Sequence, residues 1–145
     1  MRNIVGACDV IQSVDSKELM ELISKKAVSL GIRQDIFIEV NIGKEESKSG
    51  VYPEALDNIA SYAGSCPGIK VTGLMTVPPI CENKLQISNY FDEMYKLYVD
   101  IRAKKYDNTD IYVLSMGMSG DYEEAIQAGS TMVRVGSAIF GPRKY

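Results

Sequence analysis

The stretch TMVRVGSAIFG (131–141) sets Arg134 into an apolar strand, two residues before Gly136 and just upstream of Ser137. A strand buried on both faces is continuously apolar, so a guanidinium there needs an acceptor or contact with water. Either Arg134 pairs with a carboxylate such as Glu39, or it faces a ligand. A second segment, LSMGMSGDYEE (114–124), runs through Gly117, Ser119 and Gly120 into a helix start. Small residues let backbone N–H groups approach a ligand, and a helix N-terminus adds partial positive charge, so each loop can hold an anion. Alone, each reads as a tight turn, with Ser119 capping the turn before the helix. Together, beside an inward-facing Arg134, they point to a phosphorylated small molecule.

Other chemistries are narrowed by composition. The 145 residues include no histidine, which removes Ser-His-Asp and Cys-His mechanisms and the commonest zinc ligand. A net charge of −3 argues against a general nucleic-acid binder. No apolar run approaches the roughly 20 residues that span a bilayer. Cys8, Cys66 and Cys81 are odd in number and lack CxxC spacing, which predicts reduced thiols and a cytoplasmic location. Tyr90, Phe91, Met94, Tyr95 and Tyr98 fall at helical spacing and read as a packing stripe. Glu45, Glu46, Glu123 and Glu124 read as solvated charges, and KEESKSG around Lys48 as an exposed loop.

The elements that must position these residues alternate. Strands are predicted over 9–15, 35–43, 70–79, 109–117 and 130–137. Helices are predicted over 16–31, 52–65, 84–105 and 121–129, with one further turn after Ser137. Leu19, Leu22, Ile23 and Ala27 share a face of the first helix, and Asp121 and Glu124 are spaced as a capping box. Nothing linker-like divides residues 1–145, which read as one domain. Five strand units with intervening helices imply a parallel sheet with right-handed crossovers.

Two architectures fit: a doubly wound open sheet, and part of a (β/α)₈ barrel, whose full length is about 250 residues. In DIFIEVNI, Ile36, Ile38, Val40 and Ile42 point one way and Phe37, Glu39 and Asn41 the other. Val133 and Val135 likewise oppose Met132, Arg134 and Gly136. One apolar row beside one row that turns polar near the strand's carboxyl end favours the barrel.

VNIGKEESKSG (40–50), VTGLMTVPP (71–79), LSMGMSGDYEEAI (114–126) and GSTMVRVGSAIFGPR (129–143) resemble the pyridoxal phosphate homeostasis protein family, single-domain relatives of the alanine racemase N-terminal barrel. QSVDS (12–16) resembles the same family's fourth strand, so the likeness runs through essentially the whole chain. It implies a partial fold-type III TIM barrel corresponding to strands four to eight. It also implies a non-catalytic role in binding, buffering and delivering pyridoxal 5′-phosphate, with apo enzymes that use this cofactor as partners. By the same resemblance, Arg134 donates to the cofactor's pyridine nitrogen, while Ser119, Gly136 and Ser137 hold its phosphate. Lys48 matches a basic position near the phenolic oxygen, and Asn41, Met75 and Ser115 complete the pocket.

The family's Schiff-base lysine lies on its first strand in an AVSK-like motif, which has no counterpart here. The expectation is therefore a fragment with impaired covalent attachment, two open sheet edges and a tendency to self-associate. An amino-acid racemase of the related larger family is the alternative enzyme, but it needs that lysine and a catalytic tyrosine. A flavodoxin-like module is the alternative binding protein, but SVDSKEL supplies no glycine-rich phosphate loop after the first strand.

Overall fold

The structure, a computed structural model, describes residues 3–144. Strand β1 (Val10–Val14) leads into helix α1 (Lys17–Ser29), which opens on a Ser16 cap whose Oγ accepts from the Leu19 amide at 3.2 Å. Strand β2 (Gln34–Val40) is followed by a loop, a 3₁₀ turn at Pro53–Ala55, helix α2 (Leu56–Tyr62) and a second 3₁₀ turn. Strand β3 (Ile69–Thr76) ends before Pro78 and Pro79, which cannot donate to a ladder. Asn83 caps the long helix α3 (Lys84–Lys104), its Oδ1 accepting from the Leu85 amide at 2.8 Å. Strand β4 (Thr109–Met118), helix α4 (Tyr122–Ala128), strand β5 (Met132–Arg134) and the one-turn helix α5 (Ser137–Phe140) complete the series.

All four strand pairings are parallel, and the spatial order is β1-β2-β3-β4-β5. Spatial order equal to chain order means the sheet never reverses direction. A doubly wound sheet has such a reversal and binds its ligand there, so the flavodoxin-like alternative fails on topology. A sheet wound one way, with helices on its outer face, is a half-barrel.

The main core lies between sheet and helices. Ile36, Ile38, Val40, Leu74 and Leu114 meet Ile23, Ala27, Ile59, Phe91 and Met94, all buried. Phe37 and Met75 are also buried but stand outside that cluster, on the inner row of the half-barrel. Register aligns Glu39 with Met75, Met75 with Ser115 and Ser115 with Met132, so one layer of this row crosses four strands.

Local details depart from the sequence expectations. Leu22 is 61% exposed, and the inward stripe of α1 is Met20, Ile23, Ser24 and Ala27. Phe91, Met94 and Tyr98 of the aromatic stripe are buried, whereas Tyr95 lies against Gly129 at the end of α4. A Cβ on Gly129 would stand 2.6 Å from the Tyr95 ring, and its φ of +113° is one that side chains resist. The Asp121–Glu124 capping box does not form: Asp121 Oδ1 accepts from the Met118 amide at 2.7 Å, and Glu124 pairs with Lys84. Glu46 and Glu123 are exposed as expected, but Glu45 and Glu124 are partly enclosed.

Candidate functional site

The last two strand-to-helix loops meet at the carboxyl end of the sheet. β4 leaves the ladder at Met118, opposite Arg134, and the chain turns through Ser119 and Gly120. Gly117 makes that exit possible. Its φ is +101°, and a Cβ there would fall 2.7 Å from Ala125 Cβ. β5 stops at Arg134, shorter than its apolar pattern suggests, and Gly136 turns the chain into α5.

Between these loops, Ser119 Oγ accepts from the backbone N–H groups of Gly136 and Ala138, each at 3.1 Å. One hydroxyl oxygen thus gathers two amides that no other acceptor takes up among the described residues. Converging N–H groups form an anion-binding concavity, and here an oxygen already marks its centre. An open cleft of about 1110 Å³ surrounds it, lined in part by Ser119, Arg134, Gly136, Ser137, Phe140 and Arg143.

Arg134 stands at the inner wall of this cleft, half-buried. Its Nη1 donates to Ser115 Oγ at 2.6 Å and its Nη2 to the Thr76 carbonyl at 3.0 Å. A guanidinium carries five N–H donors, so three remain without an acceptor among the described residues. Burial lowers the Arg134 pKa, while Asp121 and Glu39 act to raise it. It remains a cation, because an arginine side chain does not give up its proton in a protein. Glu39 makes no ion pair with it, so the pairing weighed from sequence is replaced by a neutral hydroxyl and a carbonyl. Burial and the nearby Asp15 carboxylate raise the Glu39 pKa, against a smaller lowering by Arg134.

Sequence-selected residues divide into three groups. Arg134, Ser119, Gly136 and Ser137 share the cleft. Ser115 lies fully buried behind it as the arginine's acceptor, with Met75 beside it in register. Asn41 and Lys48 serve the loop after β2. Asn41 Nδ2 donates to the Glu45 carbonyl at 2.7 Å and its Oδ1 accepts from the Glu45 amide at 3.1 Å. Lys48 Nζ donates to the Pro78 carbonyl at 3.1 Å and pairs with Glu45 at 3.2 Å, tying this loop to the end of β3.

Sequence reasoning missed Gln12 and Arg143. Gln12, on the far edge strand, accepts at Oε1 from the Ser115 hydroxyl at 2.8 Å. Its only local signal was a polar side chain inside the apolar run VIQSV. Arg143 follows α5 and adds a second cation to the cleft, signalled by nothing beyond its nearness to the small-residue loop.

The residues fit a phosphorylated pyridine. A two-amide cradle suits a phosphate oxygen, the two arginines supply cationic donors, and the spare N–H groups of Arg134 suit a ring-nitrogen acceptor.

Residues 1–144 match the family model described as alanine racemase, N-terminal domain. A pyridoxal phosphate homeostasis protein from Aquifex aeolicus is 43% identical over 145 residues, 100% of this chain and 63% of that protein. The crystal structure of an unknown protein from Bifidobacterium adolescentis superposes with a TM-score of 0.89 at 42% identity, covering 97% of this chain and 57% of the other. PipY of Synechococcus elongatus, solved with PLP bound, gives a TM-score of 0.85 at 27% identity over 97% of this chain and 64% of its own. The chain therefore spans about three fifths of the length of these relatives. Half-barrel and family match agree: the chain belongs to the alanine racemase N-terminal domain family.

Proposed function

We propose that this chain binds pyridoxal 5′-phosphate and takes part in vitamin B6 homeostasis as a non-catalytic carrier or buffer. The observation that carries this reading is the Ser119 oxygen gathering the Gly136 and Ala138 amides beside a half-buried Arg134 with donors to spare. The names of the relatives support it, as does the PLP bound in PipY. Ser119, Ser137 and the Gly136 and Ala138 amides hold the phosphate, and Arg134 donates to the pyridine nitrogen. The bound cofactor would supply a ring aldehyde. With an arginine rather than a carboxylic acid at its nitrogen, that ring stays unprotonated and is a weaker electron sink.

Lys48 would approach the phenolic oxygen by releasing Glu45, with Asn41 holding its loop and Met75 and Ser115 backing the ring. Apo enzymes that need the cofactor are the proposed recipients, in the cytoplasm. Among the described residues, no helix is long and apolar enough to cross a membrane. The exposed apolar side chains of α5, Phe140 at 86% and Ile139 at 68%, lie next to the open β5 edge and favour self-association. Titrating the chain with the cofactor while following its visible absorbance tests the reading. Saturable binding that inorganic phosphate competes away is expected, and no saturable binding overturns it.

A further inference from the structure

A chain of directed hydrogen bonds crosses the inside of the half-barrel. Arg134 Nη1 donates to Ser115 Oγ at 2.6 Å. A serine hydroxyl has one proton, and with its oxygen accepting from a cation that proton turns elsewhere. It goes to Gln12 Oε1 at 2.8 Å. The acceptor role fixes which way the Gln12 amide faces, and its Nε2 is accordingly directed to Met132 Sδ at 3.5 Å. Ser115 is fully buried, so water does not offer its hydroxyl a substitute partner. Gln12 lies on β1 and Arg134 on β5, the two opposite edges of the sheet.

The geometry points to Gln12 as a positioning residue that sets the orientation of the Arg134 guanidinium, from the opposite edge strand and through the Ser115 hydroxyl. It extends the proposed function and rests on that reading for its ligand, but not for its geometry. The Thr76 carbonyl holds Nη2 at 3.0 Å, so the second point that fixes the guanidinium plane is Ser115. A guanidinium only donates, so the Ser115 proton turns away from it, and among the described residues Gln12 Oε1 receives it. With an acceptor at position 12, the hydroxyl donates away from Arg134. Without it, the hydroxyl loses the acceptor that fixes its direction, and the Nη1 contact loosens. Ligand affinity at the spare N–H groups then depends on an amide that does not line the cleft.

The test uses the whole chain and two substitutions. Gln12→Leu removes the acceptor at nearly constant volume, and Gln12→Glu keeps an oxygen for the Ser115 proton. Guanidinium nitrogen resonances report how freely Arg134 rotates, with or without ligand. Gln12→Leu is expected to speed that rotation and to weaken binding of pyridoxal 5′-phosphate by about three- to tenfold, the equivalent of one ordinary hydrogen bond. Gln12→Glu is expected to restore slow rotation, and thermal unfolding of both variants shows whether the fold is kept. Guanidinium rotation unchanged in a folded Gln12→Leu variant overturns the assignment, as does rotation left fast by Gln12→Glu. If the wild-type chain binds no cofactor, the proposed function fails, while the resonances still decide the role of Gln12.

Discussion

Ser119 Oγ lies 3.1 Å from the Gly136 nitrogen, and this hydrogen bond joins two loops that are 17 residues apart in sequence. In the proposed binding mode a phosphate oxygen takes the place of the Ser119 oxygen. A bound phosphate would take over the Gly136 and Ala138 amides, and the freed hydroxyl would turn to donate to it. Ser119→Ala removes that donor, worth about 0.5–1.5 kcal/mol, so affinity for the phosphorylated cofactor should fall roughly three- to tenfold. Binding of pyridoxal, which lacks the phosphate, should not change. Parallel titrations of the two ligands check this.

Arg134 lines the cleft and hydrogen-bonds at its inner wall. Arg134→Met keeps much of the apolar stem and removes the charged donors. A hydrogen bond to a charged group contributes about 1.5–3 kcal/mol, so cofactor binding should weaken by roughly 10- to 100-fold. The fold should survive, because the groups it leaves behind are one hydroxyl and one carbonyl. Calorimetric titration beside thermal unfolding separates the two effects.

Glu39 carries a pH signature. Its folded pKa is raised above 4.5, first by burial and then by Asp15. The folded state therefore holds this proton more tightly than the unfolded chain, and the resulting stability is fully present below the unfolded pKa. It is lost as pH rises from there through the raised folded value. Glu39→Gln removes the half-buried negative charge and should raise the unfolding midpoint at pH 7 with little change at pH 4. An equal shift at both pH values would place the effect in packing.

Gly117 stands between the cradle and α4. Gly117→Ala forces a side chain into φ +101° with its Cβ 2.7 Å from Ala125. Strain and overpacking of this kind cost about 1–3 kcal/mol each, so unfolding should move to clearly lower denaturant. Phosphate affinity should drop with it, because the displaced turn carries Ser119. Gly120→Ala, which meets nothing within 4 Å, is the control expected to leave stability nearly unchanged.

Much of the architecture was legible in the sequence because its signals are local. Period-two alternation in DIFIEVNI separates an apolar helix-facing row from a row holding Glu39, and the structure keeps that separation. The cradle was legible for the same reason: glycines and serines cluster at two strand ends. What escaped was decided by distant partners. Arg134 could be read as needing an acceptor, but Ser115 and Thr76 are 19 and 58 residues away, and no spacing rule chooses them over Glu39. Gln12 and Ser115 are separated by 103 residues, so only the curl of the sheet brings them together. Asp121 had the spacing of a cap, yet the Met118 amide captured its carboxylate because the β4 exit turns back on itself.

The most direct test of the central claim compares pyridoxal 5′-phosphate with pyridoxal on the purified chain, followed by visible absorbance and calorimetry. A phosphate held by the Ser119, Gly136 and Ala138 cradle predicts saturable binding of the phosphorylated form, at least about tenfold tighter than pyridoxal, since charge-assisted hydrogen bonds are worth more than 1.4 kcal/mol. Equal affinity for the two forms would contradict the account, because the cradle would then contribute nothing to binding.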